Sequence, residues 1–499
     1  MRWRTLAFFA AVAFGCSGES SEGTAETPAP LPEGLSAAER AAAELDRDFP
    51  KHGVVTGLQL RIRSGANPDA AVVGWLRTSA RVRLAGPEGS CEGGRWYRVH
   101  PTGFVCGKAD ELAVGDTPPE VEEPTEYGWH DTPTQAEQAA ARGAVVLPPG
   151  PRRDDALPYD YFFVKERAVP EYHRLPSRNE QRAAAAKGER FLSLLADDER
   201  RARAYLDGAD DGPPGTAVTH RYLNRGFYVA STGAELRARR RFVRSTQGRY
   251  VKASRLEKRT GSAFTGVELS GEVGLPVAWA LRPATLLRAE ESEDGSVSFV
   301  ADEELPRVER QDRLLGWKGT RNVGGSVYHV IETEAGERFL RSWWATLAEP
   351  VERPAEVGAE EPWVHVDLGS QTLVLYEGDA PRYATLVSTG TEGFETPTGL
   401  FEIRRKHVTD TMSNIGDGAD DAYRIEDVPW TQYFEGSFAL HAAFWHGRFG
   451  TARSHGCVNL APADAHRVFS HTWPTLPEGW HGAATEDTGL SASHVLVTE

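Results

Sequence analysis

The sequence predicts a mainly β protein, α+β overall and built from several domains, and three observations lead there. Short apolar runs alternate with Gly, Pro, Asn and Asp turn signals over most of the chain, the period-two pattern of half-buried antiparallel strands. Helical spacing is confined to a few stretches. At 499 residues the chain is too long for one core, since domains run to roughly 100–200 residues each.

The elements follow in order. The first fifteen residues, MRWRTLAFFAAVAFG, carry two arginines and then a short apolar run ending in small residues, the chemistry of a secretory signal. That run is far shorter than the roughly 20 residues that span a bilayer, and no later stretch spans one. Cys16, after Ala13-Phe14-Gly15, resembles the acylated cysteine of a bacterial lipoprotein lipobox, from which Phe14 departs. Residues 1–16 are therefore expected to be a signal peptide and lipobox, with lipidation at Cys16 and a lipid anchor to membrane in the periplasm or cell envelope; an ordinary cleaved signal is the alternative. Residues 17–50, rich in Ser, Glu, Pro and Ala, bury too little apolar surface to fold alone and suit a disordered tether.

Residues 51–115 read as a small β barrel. The order of LQLRIRSGANPDAAVVGWL, RWYRV and TGFVCGKADEL resembles bacterial SH3-like domains, which implies either a cell-wall ligand or a structural spacer. Residues 116–153, rich in Pro, Glu and Thr around a helical stretch TQAEQAAARG, read as a linker. The middle region, 154–350, carries charge and leucine at helical spacing near 178–207. GRYVKASRLEK near 248–258 and ERFLRSWWATL near 337–347 look alike and indicate one or two further degenerate β modules, with Trp343 and Trp344 expected in a core or domain interface. Nothing in this region offers a nucleophile. Residues 360–499 alternate again around Gly, Asp and Pro-Gly turns, with a short helix at PADAHRVFSHT, and read as one largely β domain.

A formal charge of -16 argues against nucleic acid as a partner. The four cysteines of a secreted chain call for pairing. Cys16 is taken by lipid, Cys91 and Cys106 flank an aromatic segment and are the preferred disulfide, and Cys457 is left as a free thiol in an oxidising compartment. Such a thiol is costly to keep unless it works.

Cys457 lies in ALHAAFWHGRFGTARSHGCVNL, with His441, His446 and His455 as possible bases. A free thiol has a pKa near ~8.5, so catalysis needs a basic neighbour or positive dipoles. Gly456 lets the backbone turn tightly enough for consecutive N–H groups to face a reacting oxygen, and Ser454 and Asn459 are placed to brace that turn.

This stretch resembles the signature of the L,D-transpeptidase catalytic domain (YkuD-like) family, a histidine followed downstream by Ser/Thr-His-Gly-Cys-x-Asn/Arg. QTLVLYEG, LVSTG, TPTGLFEI and AYRIEDVPWTQYF are similar to other parts of that domain. The resemblance covers about residues 360–499 and implies a β-sandwich-like fold. It further implies Cys457 as nucleophile and His441 as general base, oriented by the carbonyl of Ala442. His455, Gly456 and Cys457 would hold the oxyanion, with Tyr423 lining the donor pocket and Ser454, Ala442 and Asn459 around the substrate. The implied substrates are peptidoglycan stem peptides, joined in 3-3 cross-links without metal or organic cofactor, and a monomer is expected. The same acyl-enzyme would serve an L,D-carboxypeptidase or attach a protein lysine to the wall; a wall-binding scaffold with an idle site is the non-enzymatic alternative.

Two metal readings compete. Three histidines and a cysteine could bind zinc, and HVTDTMSNIGDGADDAYRIED invites calcium although it lacks EF-hand spacing. For that stretch a solvated lid carrying Asp417, Asp420 and Asp421 is the expected reading. His446 is expected in a rim or packing role, with Trp445 as a neighbour, and His466 and His471 capping the helix or facing solvent.

Overall fold

The protein is described as a computed structural model over residues 35–123, 138–139, 142–197, 218–237, 240–271, 273–293, 295–414, 423–486 and 488–499. Cys16, most of TQAEQAAARG, the end of the 178–207 segment and Asp417, Asp420 and Asp421 lie outside these residues. The chain forms two compact units, 1–48 and 49–499.

In the first unit the expected tether carries a helix, Ala37–Asp48, with no buried residue. Its start is a reciprocal cap: the Ser36 N–H donates to Glu39 Oε2 at 2.9 Å and the Glu39 N–H donates to Ser36 Oγ at 3.3 Å. Ser-x-x-Glu of this kind satisfies two orphan donors locally, which is why a short polar helix forms where composition alone reads as unfolded.

In the second unit, residues 51–115 form antiparallel strands: Lys51–Val55 pairs with Arg81–Ala85 and Leu112–Gly115, Gln59–Arg63 with Val72–Arg77, and Gly94–Val99 with Phe104–Lys108. Cys91 and Cys106 are disulfide-bonded. Val55, Ile62, Leu76, Leu84, Val99 and Val105 form the core, and Trp480 from far down the chain completes it. A Cβ on Gly74 would lie 2.4 Å from the Trp480 ring, so only glycine lets that tryptophan lie across the strand. Gly74 and Trp75 pair with Ala483 and Gly482, joining these strands to the C-terminal sheet.

The region expected to be a linker is ordered in part. Glu120–Glu122 pairs in parallel with Ala144–Val146, and the Ser79 hydroxyl donates to Pro148 O at 2.5 Å.

Residues 154–350 hold two β modules. In the first, Asp160–Val164 pairs with Tyr228–Arg237 and Leu256–Arg259, and Val169–Tyr172 pairs with Thr219–Leu223 and Tyr250–Lys252. The helix Arg178–Asp197 between them buries Ala184, Gly188, Phe191 and Leu194, and a second Ser-x-x-Glu cap, Ser177 with Glu180, starts it. The second module runs from Val277–Ala280 to Ala345–Ala348, two strands that pair with each other. The two look-alike stretches fold alike: Tyr250–Lys252, a 3-10 turn at Ala253–Arg255 and Leu256–Arg259; Gly336–Arg341, a 3-10 turn at Ser342–Trp344 and Ala345–Ala348. The tryptophan pair splits between environments. Trp344 packs on its module's core, while Trp343 is 58% exposed, so it is not the core or interface residue its sequence suggests.

In the C-terminal domain a six-stranded sheet runs in the order Val267–Glu268, Ala380–Leu386, Thr372–Glu377, Pro362–Asp367, His494–Thr498, Gly399–Glu402. Its edge strand comes from the segment between the two modules, outside the 360–499 boundary. A second set of strands, Arg405–Ser413, Arg424–Glu435, Phe438–Ala442 and Val458–Leu460, follows in sequence order. Val364, Val366, Leu373, Val408, Phe434, Leu440, Val458 and Leu460 fill the core between them, with Ala465, Val468 and Phe469 from the helix Pro462–His471. Proline at the helix start costs no intrahelical bond there.

Candidate active site

Phe438–Ala442 and Val458–Leu460 run parallel, with His441 opposite Asn459 and Leu440 opposite Val458. That register sets the last strand residue carrying an imidazole beside the turn that ends in Cys457. The turn is fastened to its neighbours: the Arg453 and Ser454 N–H groups donate to Thr389 O, both at 2.9 Å, and the Thr391 N–H donates to Ser454 O at 3.0 Å.

Gly456 has φ +108°, and a Cβ there would meet the Phe438 ring at 2.3 Å. Both the backbone conformation and the space demand glycine. Thr396 Oγ1 donates to Gly456 O at 2.7 Å. The Gly456 N–H donates to Ser454 Oγ at 3.0 Å, and that hydroxyl donates in turn to Cys457 O. Ser454 thus braces the turn, and the Gly456 N–H expected among the oxyanion donors is spent on that brace.

Tyr423, His441, Ser454, His455, Cys457 and Asn459 converge on one cleft of about 480 Å³. Cys457 is half-buried, its Sγ 3.7 Å from Ser437 O, and burial pushes the thiol up to about 11. His441 is buried; its Nδ1 is 3.2 Å from Ala442 O, which fixes Nδ1–H as the donor and leaves Nε2 as the basic nitrogen. Burial takes this imidazole down to about 4, against the opposing pull of the Ala442 carbonyl. Both shifts favour a neutral thiol and a neutral imidazole.

The other residues divide clearly. Tyr423 lies over the His455 ring, centroids 6.0 Å apart, and Phe394 meets the same imidazole edge-on at 4.5 Å. Asn459 is 4% exposed; its side-chain nitrogen is 3.1 Å from His446 Nε2, and His446 packs against Trp445 and Phe449, the packing role of the two expected for it. His471 is exposed at the helix end, whereas His466 packs on Trp430 at 4.5 Å with Nε2 2.9 Å from Arg153 O, a contact between chain segments instead of the expected solvent face. Cys91 and Cys106 belong to the 51–115 module. Among the described residues no three His, Cys, Asp or Glu side chains are grouped to hold a metal ion, which leaves the zinc reading without a ligand set there.

Gly226, Tyr228, Met412, Ile425, Phe438 and Trp445 also line the cleft. Gly226 and Tyr228 come from the first middle module, in a region whose sequence pointed to no site residue. They arrive through one parallel bridge, Tyr228 to Ile425, and a single long-range bridge leaves no periodic trace in sequence.

Residues 361–476 match the L,D-transpeptidase catalytic domain (YkuD) family. No curated protein matches the chain. Similar solved structures include the catalytic domain of the E. faecium L,D-transpeptidase, 21% identical with a TM-score of 0.22 over 28% of this chain and 98% of that one. An L,D-transpeptidase from Stackebrandtia nassauensis is 24% identical, with a TM-score of 0.20 over 29% of this chain and 58% of that one. One from Mycobacterium smegmatis is 16% identical, with a TM-score of 0.23 over 48% and 95%.

Proposed function

We propose that the protein is a cysteine-dependent L,D-transpeptidase that forms 3-3 cross-links between peptidoglycan stem peptides. The family matched over residues 361–476 consists of cysteine acyltransferases. The observation that carries the reading is the convergence of Cys457 and His441 on one cleft, with His441 Nδ1 tied to Ala442 O.

The chemistry follows from the resting state. Because both partners are neutral, His441 Nε2 takes the thiol proton as the sulfur attacks the carbonyl of the third stem residue, instead of starting from a preformed ion pair. The developing oxyanion is held by the Cys457 N–H, the Gly456 N–H being committed to Ser454 Oγ. The imidazolium then gives its proton to the departing D-Ala amine, leaving a thioester on Cys457. An incoming side-chain amine attacks the thioester carbonyl, a C–N bond forms and the C–S bond breaks. Its proton passes to His441 and from there to the sulfur. Tyr423 and His455 stack at the mouth to line the donor, and Asn459 backs the site from His446.

On this reading the 51–115 strands are an SH3-like wall-binding module, and the chain acts in the periplasm, held by a lipid on Cys16. Incubating the full chain with disaccharide-tetrapeptide tests the activity by mass spectrometry. Loss of D-Ala, a thioester on Cys457 and a cross-linked dimer are expected, with no dimer from Cys457→Ala. Binding of the peptide without any thioester in the unaltered protein would identify a scaffold.

A further inference from the structure

Two aromatic arms start from residues at the reacting centre. One passes from His455 to Tyr423. The other passes from His441 to Trp445, centroids 5.7 Å apart, and on to Tyr228 at 6.2 Å. The second arm ends outside the segment that matches the catalytic family, on the module spanning residues 160–259.

The chemistry gives these arms different meanings. Whatever amine resolves the thioester must surrender its proton to His441, so it approaches on the imidazole side. By microscopic reversibility the departing D-Ala uses the same side, but it is a single small residue, whereas a stem-peptide acceptor carries its amine on a chain that can extend along the arm.

The wall that presents Tyr228 is held stiffly. Its ring meets Phe444 edge-on at 5.4 Å, and Tyr161 of the same module stacks on Phe444 at 4.1 Å. The Tyr161 hydroxyl donates to Asp427 O at 2.7 Å, and Arg221 donates to Glu426 at 3.0 Å. Tyr228 itself is only half-buried and faces the cleft, so a side chain fixed by its surroundings offers an open aromatic surface.

We infer that Tyr228, with Trp445, forms the acceptor subsite, and that the 160–259 module selects acceptors carrying a primary amine on a methylene chain long enough to lie across both rings. Methylene stems pack on aromatic faces and an ammonium is drawn to them before it loses its proton. The inference rests on the transpeptidase reading.

The test compares unaltered full-length protein, Tyr228→Ala and Tyr228→Phe, each acylated by the same tetrapeptide donor. The acceptors are a stem peptide with a side-chain amine, a free D-amino acid, and water alone. For Tyr228→Ala we expect transfer to the stem peptide to fall about tenfold, as loss of an aromatic contact implies. The rate of thioester formation and the transfer to the D-amino acid should change less than twofold, so thioester partitions toward hydrolysis; Tyr228→Phe should restore stem-peptide transfer. An equal fall in thioester formation and in all three acceptor reactions would overturn the subsite, as would an unchanged partition. No thioester in the unaltered protein would instead remove the transpeptidase reading and this inference with it.

Discussion

The two middle modules close with the same strand, 3-10 turn and strand, yet they meet the C-terminal domain in different ways. The 277–348 module lays Val277, Trp279 and Ala348 on Trp363, Val374 and Tyr376, an apolar face on the outside of the six-stranded sheet. The 160–259 module meets the cleft strand Arg424–Glu435 through apolar packing, Tyr161 and Ala230 on Ile425 and Val428, and through buried polar groups as well. Arg221, paired with Glu171 at 2.6 Å inside the module, donates to Glu426 at 3.0 Å, and Thr246 donates to Asp427, which also accepts from Arg77 of the 51–115 strands at 2.7 Å and from Thr409 at 2.9 Å. Apolar contact is tolerant of small shifts, whereas buried hydrogen bonds to carboxyl groups demand a particular geometry. The difference teaches that the first module is seated more directionally than the second.

The comparison breaks first at Asp427. Burial alone would raise its carboxyl, but Arg77 and the hydroxyl of Thr246 hold it below the ordinary carboxylate range. Asp427→Ala leaves Arg77 buried without its partner, and we expect a loss of about 3–5 kcal/mol in denaturant unfolding together with a drop in stem-peptide transfer. On the apolar side, Val277→Ala removes two methyl groups from a packed contact and should cost about 2 kcal/mol while leaving acceptor partition unchanged. Altered partition in that variant would erase the distinction between the modules.

A pH series sharpens the comparison further. Burial, then the neighbouring Glu171 carboxylate, pushes Glu426 up to about 8, against Arg221 and Arg424, with Asp427 adding to the rise. Between the ordinary carboxylate range and about pH 8 the folded protein keeps a proton that the unfolded chain has released, so stability falls as pH rises through that window. The slope contributed is at most ~1.4 kcal/mol per pH unit, and Glu426→Gln should flatten it in thermal melts taken at several pH values. The smallest effect belongs to Trp343, whose exposed ring should cost less than about 0.5 kcal/mol on change to alanine.

What the sequence made legible was local. Gly456 announces its turn because a positive φ excludes side chains, and the repeat between 248–258 and 337–347 reappears as one supersecondary unit. The helix expected near 178–207 is seen over Arg178–Asp197, with its Ser-Glu cap. The helix at Ala37–Asp48 was equally readable from Ser36 and Glu39, but composition masked the capping signal. What stayed hidden depends on distant segments meeting: Tyr228 reaches the cleft beside a bridge to Ile425, and Asn459 comes opposite His441 through a parallel register that no spacing rule supplies. The Ser454 hydroxyl's claim on the Gly456 N–H belongs to the same kind, since four residues of turn geometry decide it.

Trp480 carries a consequence for anyone dissecting the molecule. Because this indole lies across Gly74 and donates to His100 O at 3.0 Å, an excised fragment ending at residue 115 would lose the largest side chain at its centre and keep a glycine-floored gap. Grafting that fragment onto another enzyme therefore transplants a hollow part, and a chimera that behaves must carry the Gly479–Ala484 segment along with it.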